Sequence, residues 1–250
     1  AEAASAASAA EAAASMAAAR AGAGRMAGYL SEADHARVTA AVAEAESRTA
    51  GEIVTVVAER SDGYSDVALA WSAFAAFTVL VVLAIFPDFW LWLVDSALDN
   101  WAHDWTPHEV LTLAASAAIV KFLVVWLLQL WPPLKFWLVL PNIKTQRTLE
   151  RAVSLFKVGA ERRTHGRTGI LIYLSMREHR AEILADEAIA SKVPPEIWGD
   201  AMAALLVHVR EGRLADGMIA AVEQVGAVLA EHFPRDENDT NELPDRLIEL

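Results

Sequence analysis

Two uncharged apolar stretches constrain this chain more than anything else in it. Residues 69–86 (LAWSAFAAFTVLVVLAIF) contain no charged side chain. In residues 110–131 the only charged or amide side chains are Lys121 and Gln129. A membrane-spanning helix needs about 20 apolar residues at 1.5 Å per residue, so both stretches qualify as spans. They predict a transmembrane helical hairpin over 67–140, with an outer connection at 87–109. Paired core helices of a soluble domain are the alternative. The tryptophans Trp90, Trp92, Trp101 and Trp105 in the connection favour the membrane, because Trp collects at the bilayer interface. Trp131 and Trp137 form the corresponding group at the other end.

Thr106, Pro107 and Glu109 form a helix start: a hydroxyl cap, proline at the first position and an acid at the third. Pro132 and Pro133 break or kink the second stretch, and 134–140 (LKFWLVL) either continues it or lies at the interface. The connection has Asp88, Asp95, Asp99 and Asp104 but no Lys or Arg. Arg37, Arg48 and Arg60 precede the hairpin, and Lys135, Lys144, Arg147 and Arg151 follow it. The positive-inside rule then predicts a multi-pass protein with both termini cytoplasmic and the connection outside.

The flanking polar parts are each too small for a good core. Ser31 with Asp34 opens a helix expected to end near Ala50 and Gly51. A buried strand is expected at 52–59 (EIVTVVAE), and a helix over 144–163 that Gly166 stops. Strands at 168–176 and 181–185 form a hairpin around the polar turn 177–180, followed by helices over 197–211 and 217–231. The fold class is therefore α/β: a small mixed sheet sandwiched by helices and interrupted by the two-helix hairpin. The organisation reads as an Ala-rich extension at 1–28, a first part of the α/β domain at 29–66, the hairpin, a second part at 141–234, and a polar C-terminal tail at 235–250. The extension lacks the basic start and Leu-rich core of a secretory signal, and Met26 is the expected native start.

The net charge of −12 argues against nucleic acid, since phosphate contacts need clustered Lys and Arg. The chain has no cysteine, which removes disulfides, thiolate metal sites and cysteine nucleophiles.

Several stretches resemble the TPM domain family. They are Thr49 to Ile53 (TAGEI), Thr168 to Ser175 (TGILIYLS) and Arg177 to Asp186 (REHRAEILAD). His232–Phe233–Pro234 with Asn241 to Pro244 (NELP) is similar to a bacterial membrane branch of that family. The resemblance covers about residues 31–250. It implies an α/β sandwich in the bacterial inner membrane. The family includes an acid-phosphatase-like protein, photosystem maintenance factors and a receptor auxiliary subunit, and some members bind calcium. Its better-known members hold the domain outside the cytoplasm and uninterrupted, unlike the arrangement read here.

Candidate chemistry is sparse. Glu52 starts the first strand, and Asp186 and Glu187 follow the third, so converging strand ends can bring them together to bind calcium or magnesium, or to serve a phosphatase. The blander reading makes Glu52 and Glu187 solvated charges and Asp186 a helix cap. Arg177 to Arg180 is an anion site or, more simply, a turn. His103, Asp104 and His108 are within metal-binding spacing, but a helix start explains that stretch. Lys121 inside a span points to a partner or pathway, unless a helix running on past Pro133 lifts it towards the outer surface to snorkel. No cofactor is identified. The expected role is a non-enzymatic accessory or assembly subunit bound to the bilayer and to a larger membrane complex, photosynthetic or respiratory by family analogy. The alternative is a metal-assisted acid-phosphatase-like enzyme.

Overall fold

The computed structural model describes residues 29–98, 104–159, 168–194, 196–235 and 246–250. The chain divides into two units. The first draws on the chain up to Glu59, on Ala152–Leu174 and on Ala181–Leu250; the second comprises Arg60–Arg151 and Ser175–Arg180.

The first unit is built on a four-stranded sheet in the order β3-β2-β1-β4, from β1 Glu52–Ala58, β2 Gly169–Ser175, β3 Arg180–Ala185 and β4 Ile248–Glu249. β1 and β4 are parallel, with Val56 opposite Ile248. The Asp186 N–H donates to the Gly169 carbonyl, and only four residues separate β2 from β3, so these two are antiparallel. The sheet is therefore mixed. Val56, Ala58, Leu171 and Tyr173 alternate onto one face and pack with Ala152 and Phe156 of helix α6 (Pro141–Gly159). The opposite set, Ile53, Val57, Ile170, Ile172 and Leu174, is equally buried. Sequences covered on both faces read as continuous Val/Ile/Leu runs, as β1 and β2 do.

Helix α1 (Glu32–Glu46) begins with the expected capping box: Ser31 accepts from the Asp34 amide, and Asp34 reaches back. It packs on β1 and on α9 (Leu214–His232), which also packs on α8 (Ile197–Arg210). A one-turn helix α7 (Glu187–Ala190) follows β3.

The tail departs from expectation. Its apolar end is a strand: Leu247 is buried and Ile248–Glu249 form the edge strand β4. The Leu250 amide donates to the Val57 carbonyl, and the Glu59 amide to that of Leu250. β1 is buried on both faces, so an open edge would strand its backbone donors and acceptors. Two residues suffice to cover them, and two residues carry no periodicity to read.

The second unit holds α2 (Ser65–Ile85), α3 (Pro87–Leu98), α4 (Pro107–Leu128) and α5 (Pro132–Leu138). α2 and α4 pack along their length. At α4 the capping box of Thr106 and Glu109 is present. The connection at 87–109 was expected to be a loop, yet Pro87–Leu98 is helical. Proline suits a helix's first turn, where its missing N–H has no partner to lose, and Asp88 there suits the helix dipole. The same logic at Pro132 starts α5 as a separate short helix, so α4 does not run on past Pro133.

Gly226 of α9 faces Ala45 of α1, where a Cβ would come within 2.7 Å of the alanine Cβ. Gly199 of α8 has nothing within 4 Å. Gly226→Val is expected to cost about 1–3 kcal/mol through overpacking. Gly199→Ala is expected to be neutral or stabilising by about 0.5–1 kcal/mol. Thermal unfolding of the two purified variants checks this pair of opposite signs.

Candidate functional site

Within the second unit, the turn after β2 carries a buried carboxylate. Glu178 is only 4% exposed. It accepts hydrogen bonds from the Ser61 amide at 3.1 Å, from the Tyr64 hydroxyl at 2.7 Å and from the Ser175 hydroxyl, the shortest of the three. The Ser61 hydroxyl continues the network to Ser175 at 3.0 Å and Thr148 at 3.3 Å. A buried carboxylate is tolerable only when donors replace its water, and here three converge on it.

Tyr64 precedes α2 in the left-handed region, at φ 50°. A non-glycine residue stays there only when its surroundings hold it. Its ring is fully buried, edge-on to Phe136 at 5.5 Å, with Val67 and Val139 alongside. Burial pushes the Tyr64 phenol well above its usual range, and the hydrogen bond to Glu178 and that carboxylate's charge push the same way. At the surface of the same foot, Arg147 bridges Asp66 at 2.7 Å, Asp62 at 3.4 Å and Glu150 at 3.4 Å. Asp66 and then Asp62 raise the guanidinium's pKa. Arg177 to His179 lie in the turn, as read, while Arg180 begins β3, and Glu178 points inward. Arg177 lies over the Phe136 ring, 5.7 Å from its centre.

Higher in the unit, α2 and α4 border an apolar groove of about 730 Å³. Trp71, Phe74, Thr78 and Val82 line one wall and Ala117, Lys121 and Val124 the other, with Trp90 of α3 also in the lining. Among the described residues Lys121 has no ion-pair or hydrogen-bond partner. The Trp90 indole nitrogen is buried and also lacks one among them. Gln129, the other polar residue of this apolar run, caps α4 and is 3% exposed. Its amide nitrogen donates to the Ala68 carbonyl at 3.1 Å, the Ser72 hydroxyl at 3.3 Å and the Val125 carbonyl at 3.1 Å.

Of the expected interface aromatics, Trp92, Trp131 and Trp137 are exposed, while Trp90 and Trp105 are half-buried. Trp105 donates to the Asp95 carboxylate at 3.1 Å. Trp101 lies outside the described residues, as does His103 of the His103, Asp104 and His108 set.

The acidic candidates lie in the first unit. The Glu52 amide bonds the Thr168 carbonyl, and the Asp186 amide the next carbonyl, Gly169. Glu52 and Asp186 therefore stand at one end of the sheet with β2 between them, roughly 10 Å apart at the backbone from two strand spacings. Glu52 is buried at 6% exposure, so it is not the solvated charge of the blander reading. Asp186 occupies the N-cap position of α7, and Glu187 is exposed. Calcium takes about six to eight oxygens. Among the described residues no three Asp, Glu or His side chains come together to hold a metal.

Two of the stretches that carry the resemblance, residues 168–175 and 177–186, form β2, the turn after it and β3. Residues 137–228 match the family model for the TPM domain. The resemblance is borne out over that stretch, which is narrower than residues 31–250. The NMR structure of the BA42 protein from the psychrophilic bacterium Bizionia argentinensis is similar in fold. Its TM-score is 0.52 at 15% identity, covering 90% of this chain and 99% of that one. Curated proteins give no match. The TPM domain is thus present, on a mixed α/β fold.

Glu178→Ala is expected to lower stability by about 3 kcal/mol, since it removes the acceptor of two buried hydroxyls and a part-buried amide. Tyr64→Phe removes one donor only and is expected to cost about 1 kcal/mol. Chemical denaturation in detergent ranks them. The Tyr64 pKa also fixes a pH dependence. The folded pKa lies above the unfolded value of 10.0, so this contribution is complete below pH 10 and is lost as pH rises beyond it. Alkaline titration of phenolate absorbance is expected to show a late-ionising tyrosine that Tyr64→Phe abolishes.

Proposed function

We propose that this chain is a membrane-spanning TPM-domain protein of the bacterial inner membrane, with α2 and α4 as its two spans. We further propose that it serves as a non-catalytic subunit of a larger membrane assembly. The observation that carries the membrane reading is the exposure of these helices. They are 21 and 22 residues long, with 11% and 0% of their apolar windows buried. A core helix of a soluble protein would be mostly covered. Phe74, Phe77, Ile85, Leu111, Ile119 and Leu128 are each at least 56% exposed. Burying one such side chain is worth about 1.5–3 kcal/mol, against a total domain stability of about 5–15 kcal/mol. Water is therefore a poor solvent for this surface, and lipid a good one.

The partner reading is supported by the groove. An apolar wall with one ammonium set in it suits recognition inside the bilayer better than bond-breaking chemistry. The basic residues on both flanks support cytoplasmic termini and an outer α3. A phosphatase would instead draw on Glu52 and Asp186 at the shared end of the sheet.

The chain has no cysteine, so single-cysteine variants report sidedness cleanly. In intact cells, an impermeant maleimide is expected to label His108→Cys, and to label Ser191→Cys only after permeabilisation. Native chain is expected to stay in the membrane through an alkaline carbonate wash. Release by that wash would overturn the spanning reading, and reversed labelling would overturn the orientation. Purified chain that hydrolyses phosphate esters, and loses this on Asp186→Ala, would overturn the non-catalytic role.

A further inference from the structure

We propose that the α2–α4 groove receives a membrane-spanning helix of a different polypeptide, and that an Asp or Glu on that helix pairs with Lys121. This rests on the spanning reading and names the chemistry of the partner.

Lys121 stands seven residues before Leu128 and fourteen after Pro107, hence about 10 Å and about 21 Å from the two ends of α4. The nearer end is not the edge of the apolar surface. Beyond it Leu130, Trp131 and Trp137 are all more than 60% exposed. A four-carbon lysine stem is shorter than either distance, so snorkelling does not return the ammonium to water. The end of α4 at Leu128 also removes the longer helix that would have brought Lys121 towards the outer surface.

An unpaired ammonium among hydrocarbon is costly, and intramembrane charges are found paired with one another or facing the interior of a bundle. Nothing within the described residues pairs with this one. A second copy of the chain cannot supply the counter-charge at that level. Between Val67 and Phe86, and between Val110 and Leu128, neither span has an Asp or Glu. Two copies related by symmetry would set like charges at the same depth. Lipid phosphates lie at the interface, beyond the reach just described. A carboxylate carried on a neighbouring helix meets the ammonium at its own depth. The floor it would pack on is partly small, with Ala75 and Ala117, which allows close helix approach.

The test uses the full chain reconstituted in phosphatidylcholine vesicles with labelled poly-leucine transmembrane peptides, association being read by energy transfer. A peptide with one central Asp is expected to associate about tenfold more tightly than its all-leucine counterpart. Lys121→Leu is expected to abolish the preference. Lys121→Glu is expected to transfer it to a peptide with a central Lys, a reversal that a folding defect would not produce. Equal association of all peptides with wild type overturns the proposal, as does a preference that survives Lys121→Leu. Lys121-dependent enrichment of added phosphatidylglycerol, without peptide preference, overturns it in favour of a headgroup. Carbonate-resistant insertion is scored on the same vesicles. Failure to insert sinks the spanning reading and this proposal together, whereas insertion without pairing sinks this proposal alone.

Discussion

A backbone amide and two hydroxyls converge on the buried Glu178 carboxylate, and the foot of the helical unit is organised around that convergence. Tyr64 holds a backbone conformation that side chains avoid, and it does so immediately before the first long apolar helix. The hydrogen bond from its hydroxyl and the edge contact with Phe136 supply the local fixation that such a φ requires. Arg147 adds three ion pairs outside, but these are solvent-exposed and individually worth little. The buried acceptor, not the visible salt bridges, decides where α2 begins.

The sheet of the first unit solves a separate problem. β1 and β2 are apolar on both faces, which makes the sheet stable only if both faces and the β1 edge are covered. The faces are covered by helices whose periodic apolar positions can be read directly. The edge is covered by the chain's last residues, joined through backbone bonds and pinned by the Leu30 amide to the Glu249 carboxylate at 3.1 Å. Backbone pairing is indifferent to side-chain pattern, so the sequence around Ile248 gives no sign of it.

That distinction explains what was legible. Elements with a period, a cap or a composition of their own were readable: the capping boxes at Ser31 and Thr106, the strands at 52–58 and 169–175, and the two long apolar helices. The misread elements turned on residues with two meanings. Proline ends helices and also begins them, and Pro87 does the latter. Glutamate in a turn flanked by arginines reads as solvated, yet three donors from distant stretches bury Glu178. No local signal distinguishes it from Glu187, which is exposed. Long-range donors are set by the fold, and the fold was legible only as a class.

Gln129 and Lys121 show how far this reasoning extends to the candidate site. Both interrupt the same apolar run, two turns apart, and in sequence both are polar residues where none is wanted. Gln129 is neutral, stands at the helix end and finds three acceptors within its own unit, so it closes the hairpin. Lys121 is charged, stands a third of the way in, and faces a groove in which none of the described residues pairs with it. A single chain selected only for its own stability would gain by replacing that lysine with leucine. Keeping it is economical only if the charge is satisfied by something outside the chain. The two residues thus divide the polar content of the span into a part that completes the hairpin and a part that leaves it incomplete.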